Sequence, residues 1–321
     1  MIRNILAATA ALSISLTGCS LAAQESRGAF ILDPADNISG MLDCLEAAQR
    51  TLVAAHRGGA SPGLPENAIE TMDAVLASVP AIMEVDVGRT ADGVHVLMHD
   101  ETLDRTTSGS GRLAERDWAY VSQLRLRDRN GWVTPYQVPT LADALEWARE
   151  RTVIQLDFKR SADKAEVAQL VHAAGVERRV ILIAYTLEDA LELHQLVPEA
   201  TMSLTVERPG ALEEAVAAGL PADRIIAFTG TRLARPDLYQ MLDEADVEVI
   251  FGTLGRPPRS LDSVIERFGT PERYAELSEG GVDVLATDRP REAAGALAEA
   301  GRLPEVGQCG ITRAAAVKAR R

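Results

Sequence analysis

Aromatic side chains are scarce: tryptophan, tyrosine and phenylalanine together make up 4% of the 321 residues. A chain so poor in flat rings has little with which to stack nucleobases. Basic residues are outnumbered as well, 33 lysines and arginines against 47 aspartates and glutamates, for a formal charge of −14. Such a surface repels a phosphate backbone, and no stripe of Lys and Arg offsets it, so nucleic acid is not expected as a partner. Long apolar runs are missing too. The N-terminal one, residues 5–16, falls short of the roughly 20 residues a spanning helix requires. No glycine-rich dinucleotide fingerprint follows the first strand-like run, which argues against a nucleotide-binding doubly wound sheet. Cysteine occurs only three times, at positions 19, 44 and 309.

What is present begins with an export signal. Residues 1–19 read MIRNILAATAALSISLTGC, with Arg3 as the positive start and a short apolar core behind it. Leu16-Thr17-Gly18-Cys19 matches the bacterial lipobox, in which Cys19 becomes the lipidated first residue of the mature chain. The competing reading is an ordinary secretory cut after Ala22 or Ala23, since Ser20-Leu21-Ala22 has small residues at the required places. Lipidation is preferred because the cysteine stands directly at the end of the apolar core. Ser20 is not a retention aspartate, so the expectation is a periplasmic lipoprotein anchored to the outer membrane. On either reading the chain is exported, into a compartment where disulfides persist. Cys44 and Cys309 can then form a bridge; the alternative is two buried free thiols. Residues 20–39 are expected to be a tether, residues 40–305 one folded domain, and residues 306–321 a disordered tail.

The densest chemistry lies between Ala54 and Thr107. His56 and His99 each stand where an apolar strand-like run stops. Between them Glu84 and Asp86 sit inside IMEVDV, where charge needs a reason because burying an unpaired carboxylate is expensive. A spacing of two puts both on one strand face. Asp92-Gly93 is a two-residue hairpin signal between alternating flanks. Such a turn pairs 91 with 94 and 90 with 95, sets Asp86 opposite His99, and should make Glu84, Asp86 and His99 converge. Taken singly, a strand carboxylate pair is more often a solvated edge and a histidine more often structural. Together they are harder to reach by accident. Two carboxylates can hold a hard divalent cation, and two histidines can act as general base and general acid. Arg57 can fork onto a phosphate, and Gly58 and Gly59 let backbone approach a ligand closely.

The rest of the chain alternates. Strand-like runs fall at 52–55, 82–87, 153–158, 180–185, 202–206, 225–229, 247–253 and 282–287. Helical runs separate the later ones, at 162–174, 187–196, 211–218, 236–245, 261–268 with 272–278, and 292–300. Alternating β and α implies a parallel sheet. Eight units imply closure, so the fold class is α/β, a TIM-type (β/α)8 barrel. An open doubly wound sheet is the runner-up. Residues 94–98 are the returning arm of the hairpin, and about 100–140 form a small insertion after the second barrel strand. Its Trp118, Tyr120, Trp132 and Tyr136 are read as packing it. Pro65-Glu66-Asn67 is expected to cap the helix that follows. In Gln155-Leu156-Asp157-Phe158-Lys159, Asp157 and Lys159 share a face at a strand's C-terminal end, where barrel enzymes place their chemistry. A plain strand-end salt bridge is the competing reading of Asp157.

Four strings, HRGG at 56–59, PEN at 65–67, EVDV at 84–87 and HDETLDRTT at 99–107, together closely resemble the glycerophosphodiester phosphodiesterase family. The resemblance runs from about residue 51 to about residue 290, where GVDVLATDRP is similar to the family's closing strand. It implies metal-dependent hydrolysis of a glycerophosphodiester to sn-glycerol 3-phosphate and an alcohol. On the family pattern Glu84, Asp86 and Asp157 would hold one Ca²⁺ or Mg²⁺, and Arg57 and Lys159 would neutralise the phosphate. The pattern suggests His56 as base and His99 as acid, although the residues themselves do not order the two. Three departures stand out. Ala68 replaces a usual Thr, and Asp157 replaces a usual Glu one methylene longer. IFGTLG at 250–255 replaces a Trp-Thr-Val-Asn type run, so the alcohol recognised is expected to differ. Two rival readings stay open: a lysophospholipase D or sphingomyelinase D-like lipid phosphodiesterase, and a non-catalytic exported phosphodiester-binding lipoprotein. The sequence says nothing of oligomeric state.

Overall fold

The computed structural model describes residues 28–315. Among them eight parallel strands form one closed sheet: β1 (Leu52–Ala55), β2 (Ala81–Arg89), β3 (Ile154–Phe158), β4 (Val180–Ala184), β5 (Thr201–Thr205), β6 (Ile225–Phe228), β7 (Val249–Gly252) and β8 (Val284–Thr287). Closure is explicit in β1, which pairs with β2 through Val53↔Ala81 and with β8 through Leu52↔Val284. The barrel expected from the alternation is therefore present. Helices cover the outside, and several begin on a side-chain cap: Thr140, Asp163, Thr186 and Ser260 each accept the N–H three residues on.

Strand alternation explains where the charge goes. Leu52, Ile82, Val153 and Ile250 pack together inside the barrel, whereas Val53, Met83, Val85 and Leu156 pack outward against helices. Glu84 and Asp86 continue the inward row of Ile82, and Asp157 continues that of Val153. Parallel pairing sets Glu84 beside Gln155 and Asp86 beside Asp157. The barrel interior is thus aliphatic at its N-terminal floor and acidic at its C-terminal mouth.

The floor is closed by a helix at the start of the expected domain and by two strands in the segments assigned to a tether and a tail. The helix Ile38–Ala47, capped by Asn37, buries Ile38, Met41, Leu42 and Leu45 under the barrel. Phe30–Leu32 pairs antiparallel with Ile311–Arg313. The tether therefore cannot extend to residue 39, nor a disordered tail start at 306. Phe30, Leu32 and Ile311 are buried against the floor, and that apolar burial is what orders both segments. The Arg313 guanidinium lies 3.7 Å from the centre of the Phe30 ring. Cys44 and Cys309 are joined in a disulfide, S–S 2.04 Å. The expected signal peptide and Cys19 lie outside the described residues. No helix among the described residues is long and apolar enough to cross a membrane.

The hairpin differs from its expected register by one residue. Val87, Gly88 and Arg89 face Leu97, Val96 and His95. Thr90 N–H donates to the Val94 carbonyl at 3.0 Å, leaving a three-residue turn, Ala91-Asp92-Gly93, with Gly93 at φ 91. Thr90 Oγ1 stabilises this longer turn, donating to Asp92 and accepting from the Val94 N–H. Asp86 accordingly meets Met98, whose N–H donates to its carbonyl at 2.9 Å, and not His99. The insertion that follows carries a small sheet, Arg125–Arg127 with Val133–Gln137. It has its own core around Leu103, Leu113, Val121 and Leu126, against which Trp118 and Tyr136 pack. Tyr120 and Trp132 stay exposed, so only half of the aromatic set packs as expected.

Candidate active site

His56 follows the last residue of β1, and the chain turns sharply there. Arg57 adopts φ 52, a left-handed conformation that aims its N–H at Glu84 Oε2, 2.7 Å away. Gly59 at φ 84 sits where a Cβ would come within 2.8 Å of both Pro290 and Val75, so only glycine fits. Glu84, Asp86 and Asp157 are buried, and each offers a carboxylate oxygen within 4.8 Å of the others. Lys159 Nζ bridges two of them, 2.5 Å from Asp86 Oδ1 and 2.5 Å from Asp157 Oδ2. Arg57 Nε lies 3.3 Å from Asp86 Oδ2. The structure thus brings five of the expected site residues together at the mouth, with His56 beside them.

The electrostatics of the cluster call for positive charge. Burial, and then the neighbouring Asp86, push the Glu84 carboxyl up to about 7. Burial acts the same way on Asp86, but Lys159 and Arg57 outweigh it and hold that carboxyl below its ordinary value. Lys159 itself is held above its usual value: burial would lower it, and Asp86 and Asp157 more than compensate. Asp86 Oδ1 is buried without a hydrogen bond of good geometry, meeting only the Lys159 ammonium. Three carboxylates with one such open oxygen suit a hard divalent cation, which takes six or more oxygen ligands and leaves places for water or phosphate. The donor set therefore fits Ca²⁺ or Mg²⁺.

Both histidines are held through Nδ1 by an aspartate. His56 Nδ1 lies 2.6 Å from Asp288 Oδ1. Burial alone would lower the His56 pKa; the Asp288 hydrogen bond and the Glu84 charge outweigh it and raise it. His99 Nδ1 lies 2.7 Å from Asp100 Oδ1. Asp100 is clamped by Arg105, which pulls its carboxyl down to about 2. Arg105 also grips Glu66, and Glu66 meets Arg57 at 3.2 Å. His99 is thus joined to the cluster by a chain of ion pairs, with no direct hydrogen bond to Glu84 or Asp86 among the described residues.

Several residues of the site escaped the sequence reading. Asp288, given no role of its own within the GVDVLATDRP string, is the partner of His56. Asn67, taken as a helix cap, instead grips Asp86 twice: Nδ2 donates to Asp86 Oδ2 at 2.7 Å, and Oδ1 accepts the Asp86 N–H at 2.9 Å. The helix Ile69–Leu76 begins on Ala68 with no side-chain cap. Tyr185, just past β4, donates to Asp157 Oδ1 at 3.1 Å. Asp262 is buried and accepts from Tyr274, Thr287 and the Asp288 N–H, fixing the backbone that carries Asp288. For Asp288 a signal existed, an acid at the C-terminal end of a barrel strand. For Asn67 none did.

Comparison with known proteins gives these residues a context. The model of the glycerophosphoryl diester phosphodiesterase family matches residues 56–292. Glycerophosphodiester phosphodiesterase 1 of Mus musculus is 38% identical over 134 residues, 40% of this chain and 39% of that protein. The chain therefore matches well under half the length of that mammalian relative. The uncharacterised YqiK of Bacillus subtilis is 29% identical over 258 residues, 77% of this chain and 98% of its own length. Among solved structures, a glycerophosphoryl diester phosphodiesterase from Parabacteroides distasonis superposes with a TM-score of 0.76 at 28% identity, covering 90% of this chain and 100% of that one.

Proposed function

The chain belongs to the glycerophosphoryl diester phosphodiesterase family, and from that premise we propose that it hydrolyses glycerophosphodiesters to sn-glycerol 3-phosphate and an alcohol. The observation that carries this reading is the buried trio Glu84, Asp86 and Asp157 at the barrel mouth, flanked by an aspartate-held histidine. A Ca²⁺ or Mg²⁺ bound by the trio would supply charge neutralisation at the phosphate. Arg57, next to His56, adds a planar fork for phosphate oxygens. Lys159 adds a point charge once it is released from the carboxylates. With Nδ1 of His56 and His99 each committed to an aspartate, Nε2 is the nitrogen free to move a proton. One imidazole takes the proton of the attacking hydroxyl or water, and the other delivers one to the departing alcohol oxygen.

The lipid-directed and non-catalytic readings are not favoured. Most residues lining the cavity beside His56 are charged or polar and none is a large aliphatic or aromatic one, and both histidines and all three carboxylates are retained. The test is release of glycerol 3-phosphate, read through its dehydrogenase, with chelator and then with added Ca²⁺ or Mg²⁺. His56→Ala and His99→Ala should each lower kcat by roughly a hundredfold or more while circular dichroism stays unchanged. Near-normal turnover in either variant would refute its acid/base role. We further propose export, which the disulfide supports because such bonds persist in oxidising compartments, and lipidation at Cys19. Cys19→Ala should abolish incorporation of labelled palmitate and release the protein from membranes.

A further inference from the structure

A cavity of about 550 Å³ has His56, Arg57 and Glu66 among its walls and reaches out to the insertion turn and the loop after β7. Three of its four acids are already matched by a cation, and the fourth, Asp262, is buried under hydrogen bonds from Tyr274, Thr287 and the Asp288 N–H. Glu66 is held by Arg57 and Arg105, Asp288 by His56, and Glu266 by Arg289. Two of its cations are not matched. Arg129 on the insertion turn and Arg267 on the helix Leu261–Phe268 make no ion pair or side-chain hydrogen bond among the described residues; Arg267 lies over the ring of Phe268. Arg256 and Arg259, which bracket Pro257 and Pro258 on the cavity wall, are exposed and equally unpaired. In a chain with a formal charge of −14, four arginines with no carboxylate partner among the described residues stand together around one cleft. Charge concentrated in a cleft attracts a ligand of opposite charge.

Resting on the phosphodiesterase reading above, we infer that the alcohol half of the substrate carries an anionic group, and that Arg129 and Arg267 bind it in this cavity. The same walls argue against the other chemical classes. No Trp, Tyr or Phe lines the cavity to cage a quaternary ammonium. Its apolar side chains are Ala60, Pro257 and Pro258, with no Leu, Ile, Val, Met or Phe to receive an acyl chain. Arginine suits the role because its planar fork meets phosphate or carboxylate in two parallel bonds.

The experiment compares kcat/KM for glycerophosphoinositol 4-phosphate, glycerophosphoinositol and glycerophosphocholine at low ionic strength, with glycerol 3-phosphate as the readout. The phosphorylated substrate should be preferred over its unphosphorylated parent by roughly tenfold, with the choline ester last, and salt should shrink the preference. In the Arg129→Ala/Arg267→Ala double variant that ratio should fall towards one. Equal or better use of glycerophosphocholine by the wild-type protein, or an unchanged ratio in the double variant, overturns the inference. Calorimetric binding of inositol 4-phosphate separates the two readings: should no substrate be turned over, the hydrolytic reading fails. The subsite is then judged by binding alone, upheld if the double variant loses it and overturned if it does not.

Discussion

Asp288 and Asn67 serve the site from outside the cluster, each by holding one of its members. Asp288 sits at the end of β8 with one oxygen on His56 and the other accepting from the Gly255 N–H, so the imidazole is fixed in orientation and tautomer. Its replacement by Asn keeps an acceptor but removes the charge that raises the His56 pKa. Asp288→Asn should therefore cut kcat by roughly a hundredfold and move the acidic limb of the pH–rate profile to lower pH. An unmoved limb would mean that His56 is not the group titrating. Glu84 offers a second test. Its folded-state pKa of about 7 lies above the ordinary 4.5, so without a cation the native chain keeps a proton that the unfolded chain gives up. Stability is then lost as pH rises through that window, by at most roughly 3 kcal/mol. Glu46, Glu248 and Asp283, raised mainly by burial to about 8, 9 and 6, act in the same direction, so the Glu84 share is a difference between variants. In chelator, the thermal midpoint should fall between about pH 5 and about pH 7.5 and recover with Ca²⁺ or Mg²⁺, while Glu84→Gln should flatten the fall and lose the recovery.

At the level of elements, strand positions were legible and strand register was not. Apolar runs of four to seven residues between helical periods mark barrel strands by local pattern alone. The hairpin was harder, because Asp92-Gly93 is compatible with turns of two or three residues and the choice rests on side chains. Thr90 Oγ1 decides it, and the one-residue difference changes the partner of Asp86 from His99 to Met98. His99 depends instead on Asp100, Arg105 and Glu66, a route with no spacing signature. Gly93 at φ 91 is the conformational hinge of this arrangement, with a Cβ position 3.2 Å from the Arg89 guanidinium. A β-branched residue there pays for both the dihedral and the contact. Gly93→Val should destabilise by about 1–2 kcal/mol in urea unfolding, and should lower activity more than an exposed-loop substitution of equal cost. A neutral result would remove the turn from any part in placing His99.

For the molecule as a whole, chemistry and closure occupy opposite ends of the barrel. The mouth gathers the charge, and the floor is sealed by the helix Ile38–Ala47 and the pairing of Phe30–Leu32 with Ile311–Arg313. The strand pair in that floor could not be read from the sequence, since three-residue strands leave no periodic trace and only tertiary packing defines them. The residues 40–305 singled out as the domain are hence incomplete without their flanks. The Cys44–Cys309 disulfide, spanning 265 residues, ties the floor helix to the C-terminal flank and removes freedom chiefly from the unfolded chain. Because it lies at the floor, breaking it should cost stability without touching the site. Cys44→Ser/Cys309→Ser should lower unfolding free energy by roughly 2–5 kcal/mol, and reductant should have the same effect on the wild-type protein and none on the variant. At a temperature where both remain folded, kcat should match within about twofold, as expected for independent distant sites. A matching loss of kcat would show that floor and mouth are coupled through the aliphatic interior, contrary to the separation argued here.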